Sequence, residues 1–197
     1  MYKELLEAQK DFLSAAGRAY ECGIQTGTGG NISTRIKNTG WMFVKPSGIS
    51  FGKCRDENLV IADFSGEVVE GGKPTRERFL HGALYERYER IGGIVHTHSP
   101  WAILAARDND FLPLVTKHSG LKMKNPIPVV PVESPAVDAD EIHKVFEVMD
   151  ADSGLSAFIL RDHGIVSFAA TTEKAEEIAE LIEETAQIFY LDKWNKK

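Results

Sequence analysis

Short strand-forming runs joined by tight turns, set between helical segments, leave few folds open to this chain. The runs ISTRI and WMFV follow a loop rich in Gly and Thr, and residues 59–64 and 66–70 repeat the pattern around the turn DFSGE. Amphipathic helices are predicted on either side, over residues 3–21 and from Thr75 to a pair of glycines. Strands reached by hairpins predict an α/β fold on a mainly antiparallel sheet rather than a parallel, doubly wound one.

The second half of the chain continues this alternation of short strands and helices. In chain order the sequence predicts a strand at 94–98, a short helix at 100–107, strands and turns up to 132, a helix at 138–149, strands at 157–160 and 164–168, and a long helix from Thr172. With 197 residues, 43% of them hydrophobic, the sequence predicts a single domain over residues 1–197 with a substantial core.

Charge and composition narrow the choice of partners. The formal net charge of −6 predicts no general attraction to nucleic acid or to an anionic membrane, so we expect a small-molecule partner. Cys22 and Cys54 are too few for a disulfide framework. No apolar run approaches the roughly 20 residues of a membrane span, and the charged N-terminus does not resemble a signal sequence. We therefore expect a cytoplasmic protein.

The run IVHTHS places His96 and His98 two positions apart in a predicted strand. A pleated strand points alternate side chains to one face, about 6–7 Å apart, and two metal bonds of about 2 Å close that gap. Paired histidines also occur as hydrogen-bonded core residues, so a metal site needs a third ligand. His163 is the best candidate, because the turn RDHG presents it between two apolar strands.

Glu77 and His81 form a competing pair, because residues four apart share one face of a helix. The simpler interpretation is a surface ion pair. Glu77 also comes shortly before the His-x-His strand, so its carboxylate is a candidate fourth ligand or general base at that strand. His118 and His143 carry no such signal.

Three short turns are rich in backbone donors and hydroxyl groups, as an anion site requires. They are the anion turns at residues 27–31 (GTGGN), 46–48 (PSG) and 74–76 (PTR). Most Gly-rich loops have no ligand, so each turn alone is weak support. GTGGN also lacks the dinucleotide fingerprint, because it is followed by a strand rather than a helix.

Five motifs together, GTGGNIS, VKPSGI, GKPTRERFLH, GGIVHTHSP and LRDHGIV, resemble the class II aldolase/adducin family in order and spacing. The resemblance covers residues from about 5 to 190. It implies a three-layer α/β/α fold around a nine-stranded, mostly antiparallel sheet. It also implies a C4 homotetramer whose active sites lie between subunits, with a sugar phosphate as the small-molecule partner.

The resemblance assigns roles to the candidate residues. It implies a Zn²⁺ ion held by His96, His98 and His163, with Glu77 binding the resting metal and acting as acid/base. It gives His81 a counterpart that is not a ligand. The implied phosphate-binding residues are Thr28, Gly29, Gly30, Asn31, Ser47, Gly48, Thr75 and Arg76. Arg76 stands where many members have a small hydroxyl residue, and its charge suits a phosphate contact.

Members of this family differ in chemistry, and the sequence favours an aldolase. Its predicted reaction cleaves a ketose 1-phosphate, such as L-fuculose 1-phosphate, to dihydroxyacetone phosphate and a small aldehyde through a metal-stabilised enediolate. A methylthioribulose-1-phosphate type dehydratase needs the same residues. An L-ribulose-5-phosphate 4-epimerase is less favoured, because Glu77 replaces its usual Asp and residues 112–130 contain neither Asp nor Tyr. Lys117 falls near the tyrosine of bacterial fuculose-phosphate aldolases. An adducin-like interaction domain is the non-enzymatic alternative, though it would not require these ligands.

Overall fold

Nine strands form one sheet at the centre of the protein, and the computed structural model describes residues 2–195. The strand order is β4-β3-β2-β1-β5-β9-β8-β7-β6. The strands are β1 (Asn31–Ile36), β2 (Trp41–Val44), β3 (Val60–Asp63), β4 (Val68–Glu70), β5 (Gly93–Thr97), β6 (Phe111–Leu112), β7 (Ile127–Val130), β8 (Ala157–Leu160) and β9 (Gly164–Ala169). Only β7 and β8 pair in parallel among these neighbours, so the predicted mainly antiparallel sheet is confirmed.

Six α-helices surround the sheet in the part of the chain that the structure describes. They are α1 (Tyr2–Glu21), α2 (Arg78–Arg87), α3 (Pro100–Ala106), α4 (Lys117–Lys122), α5 (Ile142–Ala151) and α6 (Thr172–Asn195). One face of the sheet packs against α1, α3 and α6, and the other packs against α2 and α5. The predicted three-layer α/β/α fold is therefore confirmed.

Alternation along the strands divides the apolar residues between two cores. On β5, Val95 joins the core under α1 and α6, while Ile94 joins the core under α2 and α5. His96 follows Ile94 by the period of two that a pleated strand imposes, so it faces the α2 layer. This places the first histidine of the motif on the side of the sheet from which Glu77 approaches.

Carboxylates hold two of the helices on the α6 side in place. Asp11 accepts hydrogen bonds from the backbone N–H groups of Thr172 (2.7 Å) and Glu173 (3.0 Å) at the start of α6. Glu183 does the same for Trp101 (3.0 Å) and Ala102 (2.9 Å) at the start of α3. Each carboxylate satisfies N–H groups that lack partners inside the helix.

Two segments differ from the sequence prediction. Residues 117–122 form α4 where strands and turns were predicted, because Thr116 and Ser119 make a reciprocal capping box that starts a helical turn. Helix α2 begins at Arg78 rather than Thr75, which leaves Glu77 at the N-cap position. Within residues 2–195, no helix is both long and apolar enough to cross a membrane.

Candidate functional site

Three imidazoles meet at the ends of β5 and β9 on the α2 side of the sheet. His96 lies in β5, His98 follows the strand by one residue, and His163 lies in the turn between β8 and β9. The ring centroid of His163 is 4.6 Å from that of His96 and 5.0 Å from that of His98. One ligand atom from each ring lies within 4.8 Å of the other two. We call this group the histidine cluster.

Distances within the histidine cluster match those between ligands of one small cation. Nε2 of His96 is 3.3 Å from Nε2 of His163 and 3.3 Å from Oε2 of Glu77. Two ligand atoms at about 2.0–2.1 Å from a tetrahedral zinc ion stand about 3.3 Å apart. The three side chains are thus spaced for one shared ion, and Glu77 occupies the place of a fourth ligand.

Backbone contacts orient the ring of His96. Its Nδ1 lies 2.8 Å from the carbonyl oxygen of Ile165, to which an Nδ1–H group donates. That hydrogen bond leaves the lone pair of Nε2 directed at Glu77 and His163. In histidines that bind a metal through one ring nitrogen, a hydrogen bond from the other nitrogen fixes the tautomer and the orientation of the ring.

Several buried polar atoms at the site lack a hydrogen-bond partner. They include Oε1 of Glu77, Nδ1 of His163 and Oδ1 of Asn31. Buried polar groups rarely remain unpaired, because each costs about 1–3 kcal/mol. A cation close to Glu77 and His163 would relieve part of that cost, so the residues fit a bound metal ion.

Burial sets the protonation states of the cluster. Desolvation, with repulsion from His98, lowers the pKa of His96 to about 3. Desolvation, with repulsion from His96, lowers the pKa of His163 to about 4. Desolvation also lowers the pKa of His98. All three rings are therefore neutral near pH 7, which is the form that binds metal ions.

Glu77 is buried and sits at the N-cap of α2, with 5% of its surface exposed. Desolvation raises its pKa, while His163 and the amide of Asn31 oppose that change. The Nδ2 group of Asn31 donates a hydrogen bond to Oε2 of Glu77. Asn31 was predicted only as part of an anion turn, and it also contacts the candidate acid/base.

His81 does not join Glu77 in a rival metal site. Its Nδ1 lies 2.6 Å from Oγ of Ser33, which in turn lies 2.8 Å from the hydroxyl of Tyr85. His81 is fully buried, so the surface ion pair is wrong as well. The reason is that α2 packs this face against β1, where the hydroxyl group of Ser33 is the hydrogen-bond partner of the ring.

The second and third anion turns are joined to each other through the backbone. The N–H of Ser47 donates to the carbonyl of Lys73 (2.8 Å), and the N–H of Thr75 donates to the carbonyl of Lys45 (3.0 Å). Ser47 and Thr75 therefore have hydroxyl groups, rather than these amides, to offer an anion. Thr28, Gly48 and Arg76 are exposed in these turns, while Gly30 is buried.

Lys45 connects all three anion turns, and the sequence interpretation missed it. Its Nζ donates to the carbonyl oxygens of Thr28 (3.3 Å), Pro46 (3.3 Å) and Ile49 (2.6 Å). Its own carbonyl oxygen accepts the N–H of Thr75 in the third turn (3.0 Å). Only 2% of its surface is exposed, and desolvation lowers its pKa. The sequence signal was a lysine directly after a buried strand and next to PSG, which is hard to distinguish from an ordinary surface lysine.

Gln25 was also missed, although it contacts the histidine cluster directly. Its Oε1 accepts the backbone N–H of His98 at 2.8 Å, and 5% of its surface is exposed. A glutamine before a Gly-rich loop carries no specific sequence signal.

A cavity of about 720 Å³ opens beside His163. Residues 131–135 line one side of it, and Lys144, Arg161 and Asp162 line the rest. A small ligand placed next to the histidine cluster therefore has open space on this side.

Known proteins are similar to this chain in sequence and in fold. Residues 10–190 match the family described as Class II Aldolase and Adducin N-terminal domain. The chain therefore belongs to the class II aldolase and adducin family, as its motifs predicted. Because this match covers most of the chain, the family applies to the whole nine-stranded structure.

The relatives of this chain are named for several different reactions on sugar phosphates. The chain is 34% identical to a 5-deoxy-D-ribulose 1-phosphate aldolase of Bacillus thuringiensis serovar kurstaki, over 96% of this chain and 87% of that one. It is 29% identical to an L-fuculose phosphate aldolase of Methanococcus maripaludis, over 92% and 95% of the two chains. The solved structure of an L-fuculose 1-phosphate aldolase superposes with a TM-score of 0.84 and 25% identity, over 97% and 88%. Other relatives are named as an epimerase and a decarboxylase.

Proposed function

We propose that this protein is a zinc-dependent aldolase that cleaves a ketose 1-phosphate to dihydroxyacetone phosphate and a small aldehyde. The observation that carries the proposal is the buried carboxylate of Glu77, 3.3 Å from Nε2 of His96 within the histidine cluster. Full-length relatives named as aldolases of 5-deoxy-D-ribulose 1-phosphate and L-fuculose phosphate support the same reaction class.

His96, His98 and His163 would hold the zinc ion, with Glu77 as a ligand in the resting state. A bound zinc ion supplies a Lewis acid for the negative charge that develops on the substrate oxygens. Neutral imidazoles in a buried setting favour such a cation over protons, as the lowered pKa values of His96 and His163 indicate.

Glu77 would move the proton. Cleavage removes the proton of the C4 hydroxyl, passes the electron pair of the C3–C4 bond to the ketose side, and later adds a proton to C3. A single carboxylate that accepts the first proton and returns one to C3 leaves the net proton count unchanged. Burial raises the pKa of Glu77 and brings its carboxyl group closer to the neutral range in which acid/base catalysis is efficient.

The three anion turns would hold the phosphate at the other end of the substrate. Their hydroxyl groups, the backbone N–H groups of the Gly-rich turn and Arg76 would supply hydrogen bonds, and the buried charge of Lys45 favours an anion nearby. Tight phosphate binding then orients the reacting carbons at Glu77. The cavity beside His163 leaves room for the aldehyde portion.

We also propose a cytoplasmic homotetramer with active sites between subunits. The segment around α4 exposes Phe111 (55%), Val115 (42%) and Leu121 (85%). Apolar side chains grouped in this way are typical of a surface that another subunit covers. Light scattering after gel filtration measures the subunit count, and a monomer at working concentration would contradict the proposal.

The activity test incubates the zinc-loaded protein with a panel of ketose 1-phosphates, including L-fuculose 1-phosphate and 5-deoxy-D-ribulose 1-phosphate. Release of dihydroxyacetone phosphate is followed with a coupled reductase, and all products are identified by mass. The expected result is dihydroxyacetone phosphate and one aldehyde in equal amounts. A protein that retains zinc but releases no dihydroxyacetone phosphate from any substrate would rule the proposal out.

The same assay separates the second candidate reaction. A relative named 3-oxo-tetronate 4-phosphate decarboxylase is 33% identical over 93% of this chain, close to the identity of the aldolase. Carbon dioxide from a 3-oxo acid phosphate, without dihydroxyacetone phosphate from the ketose panel, would favour that reaction. Loss of water, or inversion of one carbon, would identify the dehydratase and epimerase alternatives.

A further inference from the structure

Gln25 lies between the histidine cluster and the first anion turn, and it is a member of neither group. Its Oε1 accepts the backbone N–H of His98 at 2.8 Å, and its Nε2 donates to the carbonyl of Thr26 at 2.7 Å. Thr26 precedes the first anion turn by one residue. A single buried amide thus links the backbone of the histidine to the chain that enters the turn.

His98 needs such a support because it lies beyond the end of its strand. The ladders of β5 pair His96 with Asn31 of β1 and Thr97 with Ile165 of β9, and the pairing with both neighbouring strands ends there. The next backbone N–H, that of His98, is bonded to the side chain of Gln25 instead. The amide therefore continues the ladder by one bond and fixes the backbone from which the imidazole projects.

The first anion turn packs directly on the same groups. A Cβ atom on Gly30 would lie 2.4 Å from Oε1 of Gln25 and 2.6 Å from the carbonyl oxygen of His96. A Cβ atom on Gly29 would lie 2.8 Å from Nδ1 of His98. With no space between them, a shift of the turn on binding an anion moves Gln25, His98 or both.

We propose that Gln25 is a positioning residue that couples the first anion turn to His98. A phosphate bound at the turn would then change the position and orientation of this imidazole. The inference rests on the proposed function, since it takes the turn as a phosphate site and His98 as a metal ligand. Coupling of this kind is reciprocal: phosphate tightens metal binding by the same factor by which metal tightens phosphate binding.

Two variants separate the two hydrogen bonds. Gln25→Met keeps the length of the side chain and removes both bonds. Gln25→Glu keeps an acceptor for the N–H of His98 but loses the donor to Thr26. Gln187→Met is the matched control, because Gln187 is an exposed glutamine on α6, away from the cluster.

The first measurement uses metal-free protein. Inorganic phosphate is titrated into ¹⁵N-labelled protein, and the backbone amide signal of His98 is followed by NMR. We expect this signal to move on phosphate binding in the parent protein and in Gln187→Met. In Gln25→Met we expect the signal to stay in place while phosphate still binds, and Gln25→Glu should also lose the response.

The second measurement uses Co²⁺, whose visible spectrum reports the coordination geometry. Affinity is measured by chelator competition with and without inorganic phosphate. Phosphate should tighten Co²⁺ binding at least about fivefold in the parent protein and less than about twofold in Gln25→Met. Equal coupling in both proteins would overturn the inference and would assign the coupling to the direct packing of Gly29 on His98 or to attraction between the two ions.

The outcomes distinguish this inference from the proposed function. Loss of the phosphate response in Gln25→Met supports the coupling even if the protein cleaves none of the ketose phosphates. If the parent protein is an active aldolase and Gln25→Met responds to phosphate as the parent does, the proposed function stands and the inference about Gln25 is wrong. A parent protein that binds neither phosphate nor Co²⁺ contradicts both.

Discussion

Within residues 2–195, two regions gather three side chains of the kinds that bind metals, and one of these two is built like a metal site. The histidine cluster is one, and the acid cluster of Cys22, Glu176 and Glu180 between α1 and α6 is the other. In each group the ligand-type atoms lie within 4.8 Å of one another. Closeness alone therefore does not distinguish the two.

The side chains of the acid cluster have hydrogen-bond and ion-pair partners within the protein. Glu180 pairs with Arg18 (Nε to Oε1, 2.5 Å), and Sγ of Cys22 lies 3.7 Å from Oε1 of Glu176. The histidine cluster instead leaves buried atoms of Glu77 and His163 without partners, while the carbonyl oxygen of Ile165 orients the ring of His96. Unsatisfied, preorganised atoms therefore indicate a ligand better than proximity does.

The largest effect should follow from His96→Ala. Loss of this ligand should weaken zinc binding more than about 100-fold, because removal of an outer hydrogen-bond partner alone costs about 10–100-fold. Activity should fall with the metal content. Plasma emission spectrometry of dialysed protein measures zinc, and His143→Ala serves as the control on an exposed histidine. Full zinc content in His96→Ala would contradict the conclusion that the histidine cluster, and not the acid cluster, is the metal site.

Glu77→Gln should lower kcat by about 10²–10⁴-fold, the usual contribution of a positioned acid or base. Most of the zinc should remain, because three imidazoles are unchanged. Parallel measurements of zinc content and turnover test this expectation. Zinc loss as large as in His96→Ala would show that Glu77 acts mainly as a ligand.

Glu176→Gln should change stability rather than metal content. Desolvation, followed by Glu180, raises the pKa of Glu176 from 4.5 to about 8. Between these values the folded state holds a proton that the unfolded state has lost, so stability falls as pH rises through this window. Glutamine cannot ionise, so the variant should gain about 2–4 °C in Tm at pH 8.5, as about 1 kcal/mol produces at this size. The gain should vanish at pH 4.5.

Thermal unfolding of the parent and of Glu176→Gln across this pH range provides the measurement. An equal gain at both ends of the range would mean that repacking, rather than ionisation, is responsible. Zinc content should stay the same in both proteins.

The smallest effect should come from Cys22→Ser. Cys22 is exposed, and substitutions at exposed positions usually change stability by less than about 0.5 kcal/mol. Zinc content and the rate of the proposed reaction should not change. A fall in bound zinc would mean that the acid cluster binds metal after all.

Local pattern was enough to predict most elements of the fold. The apolar face of α6, the alternation in β5 and the turn at RDHG were each visible in neighbouring residues, because helix and strand periods act over a few positions. The pattern did not reveal α4, whose start depends on a capping box between Thr116 and Ser119 within a segment rich in proline.

For the candidate site, the sequence predicted which residues take part, and the structure added the distances between them. His-x-His and Glu77 were visible in the sequence, and the structure places Glu77 3.3 Å from His96. Lys45 and Gln25 were not visible, because their importance lies in burial and in hydrogen bonds to backbone groups, such as the bond between Gln25 and the N–H of His98, 73 positions away. No local signal marks a lysine or glutamine that will be buried.

The local sequence determined most of the helices and strands, the family motifs and the chemical types of the side chains at the site. The folded chain adds which atoms remain unpaired, which histidine is supported by Gln25, and why one cluster of ligand-type side chains is satisfied and the other is not. These features need the tertiary structure because burial and hydrogen bonding depend on segments brought together from distant parts of the chain, such as His96 and His163, which are 67 positions apart.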